Sequence, residues 1–311
     1  MAKETKMRIK QLAHDLQFEF NSNARSLSTK KTGIIAVIFP AFLDSFDISL
    51  YTSSMFVDLR LGLEKNNLDT FFLDHFNSET GESNIRRLIR QKKVDGFIFL
   101  HSEIPVTEWK FAQENSVPVV QLHLPSRFRG YENIDYFLPD NQKGARAAAS
   151  FLIKKGCKKV ITLSGTPDWC GEFENRTKGF LAVAGRDEKA SALVYKIPCS
   201  FIGGYMFIKN NLSLIKTING IFIQADVMAF GVLFALSEAG IRVPEDIQII
   251  GYDDIPLADE MVPPLTTIHQ PREKMTVAAC RRIKELLSNS GDSTPVQELF
   301  EPTLVKRGTT L

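Results

Sequence analysis

An α/β fold of mostly parallel sheets is predicted by three observations on this 311-residue chain. Across residues 34–287, short apolar runs suited to buried strands alternate with stretches of helical periodicity. That alternation builds parallel βα units with helices on both faces of a sheet. A chain of this length also accommodates roughly two domains of ordinary size, each with its own core. Acids follow the carboxyl ends of the apolar runs at 221–223 and 247–250, and open parallel sheets bind their ligands at that edge.

The elements follow in order. Ile9, Leu12, Ala13 and Leu16 recur at helical spacing, which predicts an amphipathic helix over 5–16 with nothing obvious for its apolar stripe to pack against. A short, polar, weakly helical stretch covers 21–29. Strands are predicted at 34–39, 70–73, 96–100, 118–122, 134–137, 159–163, 193–197, 221–223, 247–250 and 303–305. The intervening helices span 50–66, 82–91, 105–114, 140–155, 173–184, 205–214 and 226–239, with a last one at 272–287. Pro105 suits a first helical turn, and Gly156 stops the helix opened by Asp140. Asp226 is a good N-cap for Val227, Phe230, Phe234 and Ala235, which recur on one helix face. Gly240 ends that helix and Val243-Pro244 prevents its continuation.

Composition is that of an ordinary globular protein, 44% hydrophobic and 24% charged. No apolar run approaches the ~20 residues that a membrane helix needs, and the charged N-terminus lacks the apolar stretch of a signal peptide. Cys157, Cys170, Cys199 and Cys280 are scattered without a C-x-x-C pair, which reads as reduced thiols in a cytoplasmic protein. The net charge of +2 conceals an asymmetry: residues 1–31 carry +4 and the remainder −2. A basic arm ahead of a near-neutral body suits contact with phosphates as well as it suits a solubilising end. Nucleotide-loop, nucleophile-elbow and zincin motifs are missing, and the five His are not paired at metal-ligand spacing. Neither an enzyme, a cofactor nor a metal is expected.

Residues 221–271 read IFIQADVMAFGVLFALSEAGIRVPEDIQIIGYDDIPLADEMVPPLTTIHQP. Three motifs there, AD-x-x-A-x-G, then EAG-I-x-VPEDI-x-I-x-GYDD, then PPLTTIHQP, resemble in order and spacing the effector-binding core of the LacI/GalR bacterial transcription regulators. The resemblance runs over about 5–307. It implies two lobes, each a doubly wound, mostly parallel sheet of the periplasmic-binding-protein type I architecture, preceded by a short helical N-terminal segment. Residues 1–31 would be the remnant of a DNA-binding headpiece and its hinge helix. One lobe would hold 32–138 plus 268–289, and the other 139–267 plus 290–311, with crossings near Pro139-Asp140, near Thr266-Thr267 and after about Asn289. In the family, 5–16 correspond to the third headpiece helix, so the helix-turn-helix that reads the major groove is expected to be missing from this sequence.

Site residues follow from the same resemblance. Asp253 matches an acid that binds the effector's polar groups, and a carboxylate there can accept two hydrogen bonds from sugar hydroxyls or a base edge. Arg176, in an R-x-x-GF motif, matches an effector-binding arginine whose planar fork holds two acceptors at fixed geometry. Phe201 stands where the family places a stacking aromatic. Tyr51 falls near an aromatic contact of the first lobe, His123 follows the 118–122 strand, and Asp226 is a cleft-lining acid. In the arm, Asn21, Ala24, Arg25 and Leu27 match a hinge helix whose leucine wedges into the minor groove. Phe20 and Gln17 depart from the family's Pro and Gly. The expected function is an effector-responsive repressor, working as a homodimer on operator DNA with a sugar or sugar derivative as effector. A sensor of the same fold without DNA binding is the alternative.

Overall fold

The computed structural model describes residues 3–16, 28–39, 46–100, 104–123, 133–168, 171–186, 191–288 and 294–311. The hinge candidates Asn21, Ala24, Arg25 and Leu27 lie outside them, as do Gln17 and Phe20.

The first sheet comprises β1 (Ile34–Phe39), β2 (Asp69–Asp74), β3 (Gly96–Leu100), β4 (Val119–Leu122), β5 (Asp135–Pro139) and β11 (Gln297–Phe300). Its order is β11-β5-β4-β3-β1-β2, and every pairing is parallel. Successive side chains of a strand point to opposite faces, so β1 feeds two cores. Ile35 and Val37 join Met55 and Leu59 of α2 (Phe46–Glu64), and Met275 and Ile283 of α11 (Arg272–Leu287). Ala36 and Ile38 join the opposite core, with Ile85 and Leu88 of α3 (Asn84–Arg90) and Trp109 of α4 (Val106–Glu114).

The second sheet holds β6 (Lys159–Thr166), β7 (Ser191–Pro198), β8 (Gly220–Ile223), β9 (Gln248–Asp253), β10 (Thr267–His269) and β12 (Thr303–Val305). The order is β12-β10-β9-β8-β6-β7, parallel except for the β10–β12 pair. One face is covered by α5 (Asn141–Lys154) and α6 (Glu172–Ala184), whose Ala145, Ala148 and Phe180 pack on Val160, Phe222 and Tyr252. Gly179 lets these two helices touch, since a Cβ there would strike the backbone of Gln142. The other face carries α7 (Phe201–Asn210) and α9 (Asp226–Glu238), with α8 (Leu212–Ile215) and α10 (Leu257–Glu260) as short turns.

The two lobes and their parallel order agree with the expectation, and four local readings change. The helix expected at 205–214 begins at Phe201, capped by Ser200, and breaks at Asn211 into α7 and α8. Thr267–His269 forms β10 beside β9, so the crossing expected near Thr266-Thr267 falls at Gln270-Pro271 instead. The short strand β11, unforeseen because Gln297-Glu298 interrupts any apolar run, pairs with β5 in the first sheet. The last return to the second sheet therefore comes after Phe300, not after about Asn289.

Asp226 supplies the fourth change. Ala225 caps α9, and the Asp226 carboxylate accepts from the Thr267 hydroxyl at 2.6 Å and the Ile255 amide at 3.1 Å. It is tied to tertiary partners, not to its own helix. At the other end of the chain, α1 (Lys3–Asp15) forms as predicted, with Leu12 and Leu16 left 61% and 70% exposed.

Candidate functional site

The carboxyl ends of both sheets converge on one polar cluster. Tyr51 comes from α2 and His123 from the residue after β4, both in the first lobe. Glu172 and Arg176 stand one turn apart on α6, and Asp253 ends β9, in the second. Gln270 lies on the crossing between the lobes. The Tyr51 hydroxyl is 3.3 Å from His123 Nε2, and His123 Nδ1 is 2.6 Å from Glu172 Oε1. Glu172 Oε2 lies 3.6 Å from Arg176 Nη2, and Arg176 Nη1 lies 3.8 Å from Asp253 Oδ1. Gln270 Nε2 donates to the same Asp253 oxygen at 2.7 Å. A continuous chain of polar groups therefore joins the lobes, and Tyr51, His123, Arg176, Asp253 and Gln270 are all buried.

Arg176 is held rigidly. Nε donates to Asn141 Oδ1 at 2.8 Å and Nη1 to the Gln224 carbonyl at 2.6 Å. Its guanidinium stacks 3.9 Å from the centre of the Tyr252 ring, whose hydroxyl reaches the same Asn141 oxygen. The bonds to Asn141 and Gln224 leave one edge of the planar fork toward Asp253 and Glu172.

Backbone strain gathers here as well. His123 has φ of 58°, Asp253 of 123° and Asp254 of 56°, a region that non-glycine residues seldom enter and that is retained where surrounding structure enforces it. For Asp254 the enforcement is visible: its carboxylate takes His269 Nδ1 at 2.9 Å and Arg307 Nη2 at 2.8 Å, pinning the turn after β9 to β10 and the C-terminal segment.

Burial drives the electrostatics. It pushes the Asp253 carboxyl up to about 6; Glu172 adds to that rise, while Arg176, the Gln270 bond and an Asp226 backbone bond oppose it. Asp226 is also raised, by burial first and by Asp253 second. Tyr51 is raised by burial and then by Asp253 and Glu172, so its phenol stays neutral and remains a donor.

Of the sequence candidates, Tyr51, His123, Arg176 and Asp253 come together. Phe201 packs elsewhere: its ring lies 6.0 Å from Phe234, itself 51% exposed on the outer side of α9. Asp226 is fully buried behind Gly251, where an added Cβ would strike the Asp226 carboxylate. Glu172 and Gln270 were missed, although Glu172 precedes Arg176 by four residues on a helix and so shares its face, and Gln270 closes the TTIHQP motif. A cavity of about 350 Å³ lined by Ile197, Ser200, Ile202, Met206, Phe207 and Asn210 among others includes none of these site residues.

Two sheets whose carboxyl edges face one buried polar cleft define a two-lobed small-molecule-binding protein. Residues 149–310 match the family described as periplasmic binding protein-like domain. The ribose operon repressor of Halalkalibacterium halodurans is 31% identical over 272 residues, covering 87% of this chain and 78% of that protein. The transcriptional repressor PurR of Edwardsiella ictaluri is 27% identical over 99% of this chain and 88% of its own length. Among solved structures, the regulator CelR in complex with cellobiose superposes with a TM-score of 0.74 at 23% identity, over 99% of this chain and 91% of that one. A LacI family regulator from Enterococcus faecium with bound ribose gives 0.75 at 22% identity, over 89% and 98%. The chain belongs to the LacI family of transcription regulators, built on the periplasmic binding protein-like domain. Among the described residues, no helix is long and apolar enough to cross a membrane.

Proposed function

We propose that this protein is an effector-responsive transcription repressor of the cytoplasm, with a sugar or sugar derivative as effector and operator DNA as target. The observation that carries the reading is the buried chain Tyr51–His123–Glu172–Arg176–Asp253, which spans the two lobes. Its carboxylates accept hydroxyl protons and its guanidinium donates to hydroxyl oxygens. The repressor named for ribose and the neighbours with bound ribose and cellobiose support a sugar. An effector seated there exchanges lobe-to-lobe contacts for lobe-to-ligand contacts, so it biases the relative placement of the lobes. Because residues 28–33 lead directly into β1 of the first lobe, that bias reaches the arm carrying Asn21, Ala24, Arg25 and Leu27. This is a coupling between two sites through a two-state element.

A homodimer is part of the proposal. Val57 and Leu61 of α2, Ile202 and Met206 of α7 and Phe234 of α9 are large apolar side chains that remain 41–62% exposed, more than scattered surface residues require. The deciding experiment pairs a thermal-shift and calorimetric screen of neutral sugars with a DNA-binding assay on the full chain and on a chain lacking 1–31. The deletion abolishes DNA retention and leaves effector affinity nearly intact. DNA binding that survives the deletion removes the role given to the arm, and sugar binding without any DNA binding by the full chain favours a sensor.

A further inference from the structure

We propose that the cleft selects an uncharged polyhydroxylated effector over its phosphate ester or acid, and that Glu172 is the residue that sets this preference. The inference rests on the reading of the cleft as a sugar site and narrows it.

The charge arrangement carries the argument. Arg176 faces two carboxylates at once, Glu172 at 3.6 Å and Asp253 at 3.8 Å. Two of its donor nitrogens are engaged by Asn141 and the Gln224 carbonyl. Arg272, the other cation felt at Tyr51, lies 3.6 Å from Asp58 and 3.0 Å from Glu273. Arg307 is taken by Asp254 at 2.8 Å and Asp259 at 3.0 Å. Each of these three guanidinium groups therefore meets two carboxylates; leaving aside the exposed Glu273 and Asp259, the described residues here still set four carboxylates against three guanidinium groups.

Helix N-termini are the other usual anion sites, and at this edge they already hold acids. Asp168 accepts from the Phe173 and Glu174 amides at the start of α6, and Glu172 and Glu174 occupy its first turn. Asp140 caps α5 through the Lys143 amide, and Asp226 sits in the first turn of α9. A phosphate ester would add a charge of about −1.5 to −2 beside these carboxylates.

Among the described residues, two glutamine oxygens beside Arg176 and Asp253 are acceptors open to a donor. Gln270 Oε1 and Gln224 Oε1 are buried without a hydrogen-bond partner, the first on the side chain that grips Asp253 and the second on the residue whose carbonyl holds Arg176. Neutral hydroxyls supply protons to such acceptors and bring no charge. Glu172 is the pivotal acid because it touches His123 of one lobe and Arg176 of the other.

The test titrates the full chain with D-ribose, cellobiose and D-glucose, and with D-ribose 5-phosphate, D-glucose 6-phosphate and D-glucuronate. Binding is read by calorimetry and by the unfolding midpoint. The neutral sugar that binds does so on the order of 100-fold more tightly than its charged counterpart, the size expected when like charges are brought together in a binding site. Glu172→Gln keeps the reach to His123 and Arg176 with one charge fewer and narrows that ratio by on the order of 10-fold. Glu64→Gln, an exposed acid paired with Arg60 at the far end of α2, leaves the ratio unchanged. A charged counterpart that binds as tightly as its neutral sugar overturns the inference. A ratio that persists in folded Glu172→Gln overturns the assignment to that residue. Binding of neither class overturns the sugar-site reading itself, and the selectivity with it.

Discussion

Asp253 is where residue-scale chemistry is most exposed to test. Its carboxyl titrates near 6 in the folded protein against an ordinary 3.8, chiefly because burial disfavours the charged form. The unfolded chain thus gives up this proton first. The stability that Asp253 contributes is fully present below pH ~4 and is lost as pH rises through about 6. Urea unfolding of wild type and Asp253→Asn between pH 4 and 7 should show this fall in the wild type and a flatter profile in the variant. Effector binding responds in the opposite sense: hydroxyls donate to the ionised carboxylate, so affinity weakens as pH drops below about 6. Arg176→Lys replaces a planar fork by a point charge and should weaken effector binding by about 1.5–3 kcal/mol in calorimetry. Lysine is the better probe than alanine here, because alanine would strand the Asn141, Glu172 and Asp253 partners in a buried setting.

At the scale of elements, buried acids hold distant pieces of chain together. Asp135 ends the approach to β5 and receives Arg282 of α11 at 2.6 Å and the Val296 amide at 2.8 Å, while Arg282 also reaches the Thr294 carbonyl. That knot fixes α11 against the first sheet and aims the chain into β11. Asp135→Ala takes the short, buried carboxylate from the Arg282 guanidinium and leaves it the half-exposed Glu285 at 3.8 Å, which should cost roughly 3 kcal/mol in denaturant unfolding. An unchanged midpoint would show the pair to be dispensable. Asp226 does the same for α9, β10 and the turn after β9, and Asp226→Ala should cost about 1–3 kcal/mol by orphaning the Thr267 hydroxyl and the Ile255 amide. Neither knot can be read from local pattern, since the partners lie 147 and 41 residues away in sequence.

For the whole molecule, the testable quantity is assembly. Met206→Asp together with Phe234→Asp places charges on the outer apolar face of α7 and α9. If that face is a dimer interface, sedimentation should move to the monomer while the far-ultraviolet spectrum stays unchanged. A double variant that sediments as wild type would move the interface elsewhere. The same two helices take Phe201 away from the polar cleft, where its ring meets Phe234. The resemblance offered Phe201 as a stacking aromatic, but its direction depends on how α7 lies against α9. Gly204 and Gly231 let these helices approach until added Cβ atoms would strike the facing backbone.

Period and punctuation in the sequence were enough for the alternating strands and helices, while the two-lobed architecture and the candidates His123, Arg176 and Asp253 came from the resemblance of its motifs to a known family. Apolar runs and helix stops are local, and a parallel βα unit places its carboxyl ends on one edge whatever its neighbours are. Tertiary structure decided what contact across distance decides. It turned Asp226 from a helix cap into a tie between α9 and β10, drew Gln297–Phe300 into the first sheet and brought Glu172 and Gln270 into the cleft. Each of these follows from pairing a buried polar group or an open strand edge with a partner far along the chain. The penalty for leaving such a group unpaired is real only once the fold has removed it from water.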